Sequence, residues 1–314
     1  MNRAIILIIF IAIGFLFSWN TQVTQEIFER PAQPEITIIQ QPPPPPPSAE
    51  PADQIQKPKT ILESPKPAQA ILPPVPPKLI ERSELYAKGV LATVNFLCKN
   101  TNDTYTLATG AIIDRHGYII SNAHIVDKKN MQPTCVIRAG SPAKEIGEAK
   151  LVFMPNDYHT ITDGQQQARM DISIWKLTGT KSDWSYWEID FDNVSKKDDQ
   201  LFTQSYPAEL LSSEIILKNL WLTFSSAIIS EVDGSVIASR ATIAAQHGSS
   251  GGVLIEPYTG KLRGIIFAIS SDTIKAINER LLYAIAPAQI NALVWKETKK
   301  QFGEYLAALP EPVY

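Results

Sequence analysis

Three rhythms of apolar and polar positions succeed one another along this chain. Met1-Asn2-Arg3 opens onto residues 4–19, a run of sixteen that are all apolar or small. From residue 31 to 78 no apolar period survives. After Tyr86 the texture becomes short runs of β-branched and aromatic residues cut by turn residues, which predicts strands. One series falls at 90–98, 105–113, 118–121, 134–138, 148–154 and 171–177. A second falls at 201–205, 221–229, 235–238, 252–255, 263–269 and 281–284. Two sets of six short strands predict an all-β domain of two barrels. Pro287 stands at a favourable first-turn position for a helix over 287–306.

The first rhythm predicts a membrane segment over 1–23. A spanning helix needs roughly 17–25 apolar residues, and this run extends to Val23 only past Asn20, Thr21 and Gln22. A cleaved signal would show a small-x-small site after the run, but Phe17 and Trp19 occupy those places. An uncleaved signal anchor is therefore expected. Arg3 keeps the N-terminus cytoplasmic, so the rest of the chain is expected to be periplasmic or extracellular.

Composition explains the second rhythm. About two-thirds of the 24 prolines lie between Pro31 and Pro77, six of them consecutive from Pro42 to Pro47. Such a segment, here 24–78, cannot bury a core and favours polyproline II. Fully extended it would reach on the order of 150 Å at about 3.1 Å per residue. A spacer fits better than a ligand for proline-recognising modules, which are mostly intracellular. The folded unit is then 79–308, with barrel one at about 84–180, barrel two at about 181–285, and a tail at 309–314. A net charge of −3 argues against general binding to nucleic acid. Four scattered histidines and two cysteines offer no metal-ligand spacing, so no metal or cofactor is expected.

Three stretches carry chemistry. Gly110-Ala-Ile-Ile-Asp-Arg-His-Gly-Tyr-Ile-Ile-Ser-Asn-Ala-His124-Ile-Val reads as a strand, a turn, a second strand and a histidine at its end. Met170-Asp171-Ile-Ser-Ile-Trp-Lys-Leu is a strand opened by a carboxylate, and Gly248-Ser249-Ser250-Gly251-Gly252-Val-Leu is a serine among glycines. A serine hydroxyl needs a base to take its proton, histidine suits that role near neutral pH, and a carboxylate orients the imidazole. The order His124, Asp171, Ser250 is one of three known for such triads. Glycines around Ser250 let the Gly248 and Ser250 amides converge on one oxygen as an oxyanion hole.

These stretches resemble the catalytic blocks of trypsin-like proteases, especially the bacterial HtrA/Deg group, in which a G-x-I-I-D-x-x-G-Y-I-x-T-N-x-H-V-V block carries the base. A D-I-A-x-L-K block carries the aspartate there, and G-N-S-G-G the nucleophile. The resemblance runs from about Leu91 to Val294. It implies two perpendicular six-stranded chymotrypsin-like barrels with the site between them, and a serine endopeptidase acting on peptide or protein substrates. Ser249 stands where Asn or Asp is usual, which argues against activation by a freed N-terminus. His247 replaces a frequent Pro, and with the sequence stopping at Tyr314 no PDZ domain is expected after the terminal helix.

Alignment to the family implies a specificity pocket formed by Ala244, His247, Phe267, Ala268 and Ile269. It carries no fixed charge and suits a small aliphatic residue. On the implied first barrel Cys98 and Cys135 fall on neighbouring strands, and either a disulfide or two buried thiols fits. His116 and His159 read as surface residues. Asp157 and Asp163 compete with Asp171 for the acid, but both lie in loop-like sequence, and Ser249 competes less well with Ser250 because the Gly-Gly pair must follow the nucleophile. The rival functions are a protease-like binding domain without turnover and an envelope-spanning coupling protein. The first needs a missing triad residue, and the second predicts a much smaller terminal domain. Oligomeric state is left open.

Overall fold

Alternation of side chains along the strands builds two rings. The computed structural model describes residues 78–309 except 102–103, 132, 179–182, 242 and 271–275. The expected anchor and proline-rich spacer lie outside the described residues. Among the described residues no helix is long and apolar enough to cross a membrane.

The first six strands are β1 (Thr93–Lys99), β2 (Tyr105–Ile112), β3 (Tyr118–Ser121), β4 (Thr134–Gly140), β5 (Ala143–Phe153) and β6 (Ser173–Thr178). They close a barrel in the order β1-β2-β3-β6-β5-β4, antiparallel throughout. The second six are β7 (Gln200–Ser205), β8 (Thr223–Val232), β9 (Val236–Ala241), β10 (Val253–Ile255), β11 (Leu262–Ile269) and β12 (Leu281–Ile285). They close in the order β10-β11-β12-β9-β8-β7.

Period-2 burial fills each ring. Val94 and Phe96 on β1, Ala108 and Ile112 on β2, Ile119 on β3 and Trp175 on β6 share the first interior. Gly110 faces the same space, where a Cβ would meet Phe96 at 2.5 Å and Ile119 at 2.8 Å. Leu201, Ile229, Ile237, Leu254, Ile266 and Leu282 share the second interior. The opposite faces are not left to water. Ala111, Ile120, Ile174, Val253, Ile265 and Ile285 join one cluster with Ile290, Leu293 and Val294 of the C-terminal helix. Burial on both faces is why these strands read as near-continuous apolar runs and not as clean alternation. Each Ile or Leu so buried contributes roughly 1.5–3 kcal/mol.

Two expectations need correction. The first strand does not begin at residue 90, because helix α1 (Arg82–Ala92) precedes it and buries Leu85, Gly89 and Ala92. The Gln204 side chain of β7 occupies the space a Cβ on Gly89 would fill, 1.5 Å from its Oε1, and its Nε2 donates to the Leu85 carbonyl at 2.8 Å. The terminal helix is also not continuous over 287–306. Short helices α2 (Gly164–Arg169) and α3 (Ser213–Lys218) lie in loops, and the last helices among the described residues are α4 (Pro287–Thr298) and α5 (Phe302–Ala307). Lys299 ends α4 at φ 60° in the left-handed region, and a Gln301–Glu304 capping box restarts the helix.

Cys98 and Cys135 are joined by a disulfide across the β1–β4 pair, where they stand directly opposite one another.

Candidate active site

Strand register places the histidine beside the acid. β3 pairs with β6 so that Ser121 faces Ser173. The chain leaving β3 therefore runs past the chain entering β6, as a single 3-10 turn over Ala123–Ile125. Ser173 Oγ donates to the Asn122 carbonyl at 2.6 Å, and Asn122 Nδ2 donates to the Asp171 carbonyl at 2.9 Å. Between these cross-links the His124 backbone N–H donates to Asp171 Oδ1 at 2.8 Å, and Nδ1 lies 2.6 Å from Oδ2. A carboxylate only accepts, so Nδ1 carries the proton and Nε2 is left as the basic nitrogen.

Burial differs sharply within this pair. The Asp171 side chain is 5% exposed and the His124 side chain 38%. Burial pulls the imidazole down, but the charge of Asp171 and its hydrogen bond outweigh that pull, so His124 sits above its ordinary value. Asp163 instead caps α2, accepting from Gln166 N at 3.0 Å, and Asp157 faces Lys296 Nζ at 3.7 Å. Neither competes for the imidazole.

Ser250 lies in the loop before β10, and barrel one grips that loop through Thr109 of β2. Thr109 N donates to the Ser250 carbonyl at 2.7 Å, and Thr109 Oγ1 donates to the Gly248 carbonyl at 2.8 Å. The same Oγ1 accepts from Tyr206 N at 2.9 Å, while the Thr109 carbonyl accepts from Ser121 Oγ at 2.7 Å. One residue thus links the strand that delivers His124 to the loop that presents Ser250. Gly251, at φ 82°, fits only without a side chain, because a Cβ would stand 1.8 Å from the Thr109 carbonyl oxygen. Gly248, at φ 94°, presses on Tyr206 and Ala208 in the same way. Among the described residues neither the Gly248 nor the Ser250 N–H donates to a carbonyl or side chain. Two amides on either side of Ser249 are therefore available to a developing oxyanion. Ser249 itself is buried and accepts from Ser205 Oγ at 3.0 Å.

The residues expected to form the pocket divide. Ala244 and Ile269 join one apolar cluster, and Ala268 is partly exposed. Phe267 packs in the larger cluster with Tyr283, ring centroids 6.4 Å apart. His247 is exposed at the head of the nucleophile loop. A charge that the sequence left unremarked stands behind them, since the 6%-exposed Arg280 approaches the Ala245 carbonyl at 3.4 Å and bonds to Glu209.

One further residue was not singled out from the sequence, and another was placed differently. Tyr158 is buried with its phenol close to the Asp171 carboxylate. Burial, with the nearby charge of Asp171, raises that phenol far above its usual range. His159, expected at the surface, instead stacks edge-on against Tyr158 with centroids 5.2 Å apart, and its Nε2 is buried. Burial first, then Lys128, holds its imidazole below the ordinary value, against the opposing pull of Asp127 and Asp171. The aromatic Tyr158 inside a polar loop was the available signal for both. His116 is partly buried, and its carbonyl accepts from Lys176 Nζ.

Residues 108–265, half of the chain and a span containing His124, Asp171 and Ser250, match the model of the trypsin-like peptidase domain. No curated protein sequence matches. Among solved structures, the crystal structure of a serine endoprotease from Yersinia pestis has a similar fold, with a TM-score of 0.50. It is 18% identical over 70% of this chain and 68% of that one.

Proposed function

This chain belongs to the trypsin-like peptidase family and is a serine peptidase; from that premise we propose a membrane-tethered endopeptidase in which His124, Asp171 and Ser250 act as one unit. The observation that carries the assignment is the doubly bonded His124–Asp171 pair, together with a loop whose Gly248 and Ser250 amides find no acceptor among the described residues. Ser250 Oγ attacks the scissile carbonyl carbon while His124 Nε2 takes the hydroxyl proton. The carbonyl oxygen becomes an oxyanion held by the two amides. Collapse of that intermediate breaks the C–N bond, and His124 returns the proton to the leaving amine. Water then repeats the sequence on the acyl-enzyme and restores Ser250. Removing one oxyanion donor from such a site costs about 10²–10³ in kcat.

The reading has two further parts. The apolar run at 4–19 and the proline-rich stretch at 31–78 support an N-terminal anchor and a spacer, with the catalytic domain outside the cytoplasm acting on envelope proteins. The small uncharged side chains of Ala244, Ala268 and Ile269 support a small aliphatic residue before the cut.

A fluorophosphonate probe tests the assignment without knowledge of the substrate. Applied to membranes carrying the full chain, it should label a band that detergent releases and salt does not. Ser250→Ala and His124→Ala should abolish labelling, and Ser249→Ala should retain most of it. An unlabelled wild-type chain would instead support a binding domain without turnover, and labelled protein in the soluble fraction with Met1 intact would overturn the tether.

A further inference from the structure

The amides that would bind the oxyanion belong to a loop whose shape has to be held by something, and the residue beside Ser250 carries no charge to hold it. Ser249 is neutral and, among the described residues, is bonded by hydroxyl and backbone groups alone. Gly248 follows His247, so the plane of the His247–Gly248 peptide decides where the Gly248 N–H points. Both sides of His247 are fixed by the segment after β7. Ala208 N donates to the His247 carbonyl at 2.8 Å, and the His247 N–H donates to Glu209 Oε2 at 3.2 Å.

Glu209 is itself held. Arg280, just before β12, donates through one guanidinium nitrogen to Glu209 Oε1 at 3.0 Å and Oε2 at 2.9 Å. Only 7% of the Arg280 side chain and 20% of Glu209 are exposed, so the pair is shielded from screening. Burial pushes the Glu209 carboxyl up, but the Arg280 hydrogen bond and the His247 amide outweigh it and hold it below the usual carboxylate range. The same guanidinium approaches the Ala245 carbonyl, so one cation contacts two ends of the loop's approach.

We propose that Glu209, fixed by Arg280, is the positioning residue that anchors the Gln246–His247 peptide through its N–H and, together with the Ala208 N–H on the His247 carbonyl, keeps the next peptide turned so that the Gly248 N–H faces the oxyanion site. Glu209 touches neither substrate nor reacting atoms and acts only through the His247 amide. The pair is internal to the domain, so the loop is held in its working shape without an added ligand or a processed terminus. This inference rests on the serine-peptidase reading above, and its test separates the two.

The informative variants are Glu209→Ala, Glu209→Gln and Arg280→Lys, each in the full chain in detergent. Two ligands distinguish positioning from general loosening. A peptide boronate forms a tetrahedral adduct on Ser250 and places an oxygen at the two amides, whereas the matching peptide acid binds the pocket without that adduct. For Glu209→Ala the expected result is a fall in kcat of about tenfold to a hundredfold, below the cost of removing an oxyanion donor outright because the donor is misaligned and not lost, with KM nearly unchanged. Boronate affinity should fall by the same factor and peptide-acid affinity should hold. Glu209→Gln, which keeps an oxygen for the His247 amide, should recover part of the loss. A folded Glu209→Ala variant with unchanged kcat and boronate affinity overturns the proposal, and so does equal weakening of boronate and peptide acid. The Gly248 and His247 amide resonances give a readout that needs no turnover. They should shift in Glu209→Ala even if the wild-type chain proves inert, and unshifted resonances in a folded variant overturn the lock whatever becomes of the peptidase reading.

Discussion

Tyr158 brings a phenol close to a carboxylate that already has two partners in His124, at N and Nδ1. The phenol dipole draws charge on Asp171 away from the imidazole. Tyr158→Phe removes that dipole without orphaning the acid, so the domain should stay folded. A polar contact worth about 1 kcal/mol corresponds to a fall in kcat of roughly fivefold. The pH profile adds a sign. His124 must be neutral to take the serine proton, so activity is lost as pH falls through its raised value. With Phe at 158 the carboxylate turns more of its charge on the imidazole, and this acid limb should move to higher pH. A variant with wild-type kcat and an unmoved limb would show the phenol to be a bystander. Folding linkage runs the other way. Because the folded value of His124 is raised, its contribution to stability is present below the ordinary histidine value and is lost as pH rises through the folded one.

At the scale of elements, the nucleophile loop and β2 meet so closely that one methyl group decides the contact. Gly251→Ala would place a Cβ 1.8 Å from the Thr109 carbonyl and 2.4 Å from Ser121 Oγ, at a φ of 82° that alanine resists. The expected cost is about 1–3 kcal/mol of stability, with fluorophosphonate labelling nearly abolished because Ser250 moves with its neighbour. Gly303→Ala in α5, where nothing lies within 4 Å of the added Cβ, should label and melt like the wild type. A fully labelled Gly251→Ala chain would mean that the loop is not held by this contact. The strands that frame the site were legible because β-branched runs and turns alternate, and 118–121 matches β3 at both ends. The blocks around His124, Asp171 and Ser250 stood out because each joins a reactive residue to a strand end. Helix α1 was hidden by its own glycine. Gly89 argues against a helix locally, and the reason for it, the Gln204 side chain, lies more than a hundred residues away. The Lys299 break was equally silent, since a lysine in the left-handed region carries no glycine to mark it. Tyr158, Thr109 and Glu209 act through contacts that only the closed barrels create.

For the molecule as a whole, the charge balance around the pocket bears on what it cleaves. Ala244 and Ile269 share an apolar cluster, and the nearby Arg280 is neutralised by Glu209. Among the described residues Ala244, Phe267, Ala268 and Ile269 offer no carboxylate to a lysine or arginine, whose burial unpaired is costly. An aliphatic side chain gains roughly 1–3 kcal/mol by burial, a preference of modest sharpness. Mapping of cleavage sites in a denatured protein mixture should therefore show cuts after Val, Ala or Ile. Cuts after Lys or Arg would mean the pocket lies elsewhere, and cuts after Glu would give Arg280 or His247 a direct hold on substrate. The two rings are also closed by different means. β1 and β4 meet at the seam of the first barrel, and the Cys98–Cys135 bond lies across that seam. The seam of the second, β7 against β10, holds three residue pairs and no covalent link. Parting the first ring along its seam requires an electron donor, whereas the second parts by exchange of a few hydrogen bonds with water. The jaw that bears the base is riveted, and the jaw that bears the nucleophile is only latched.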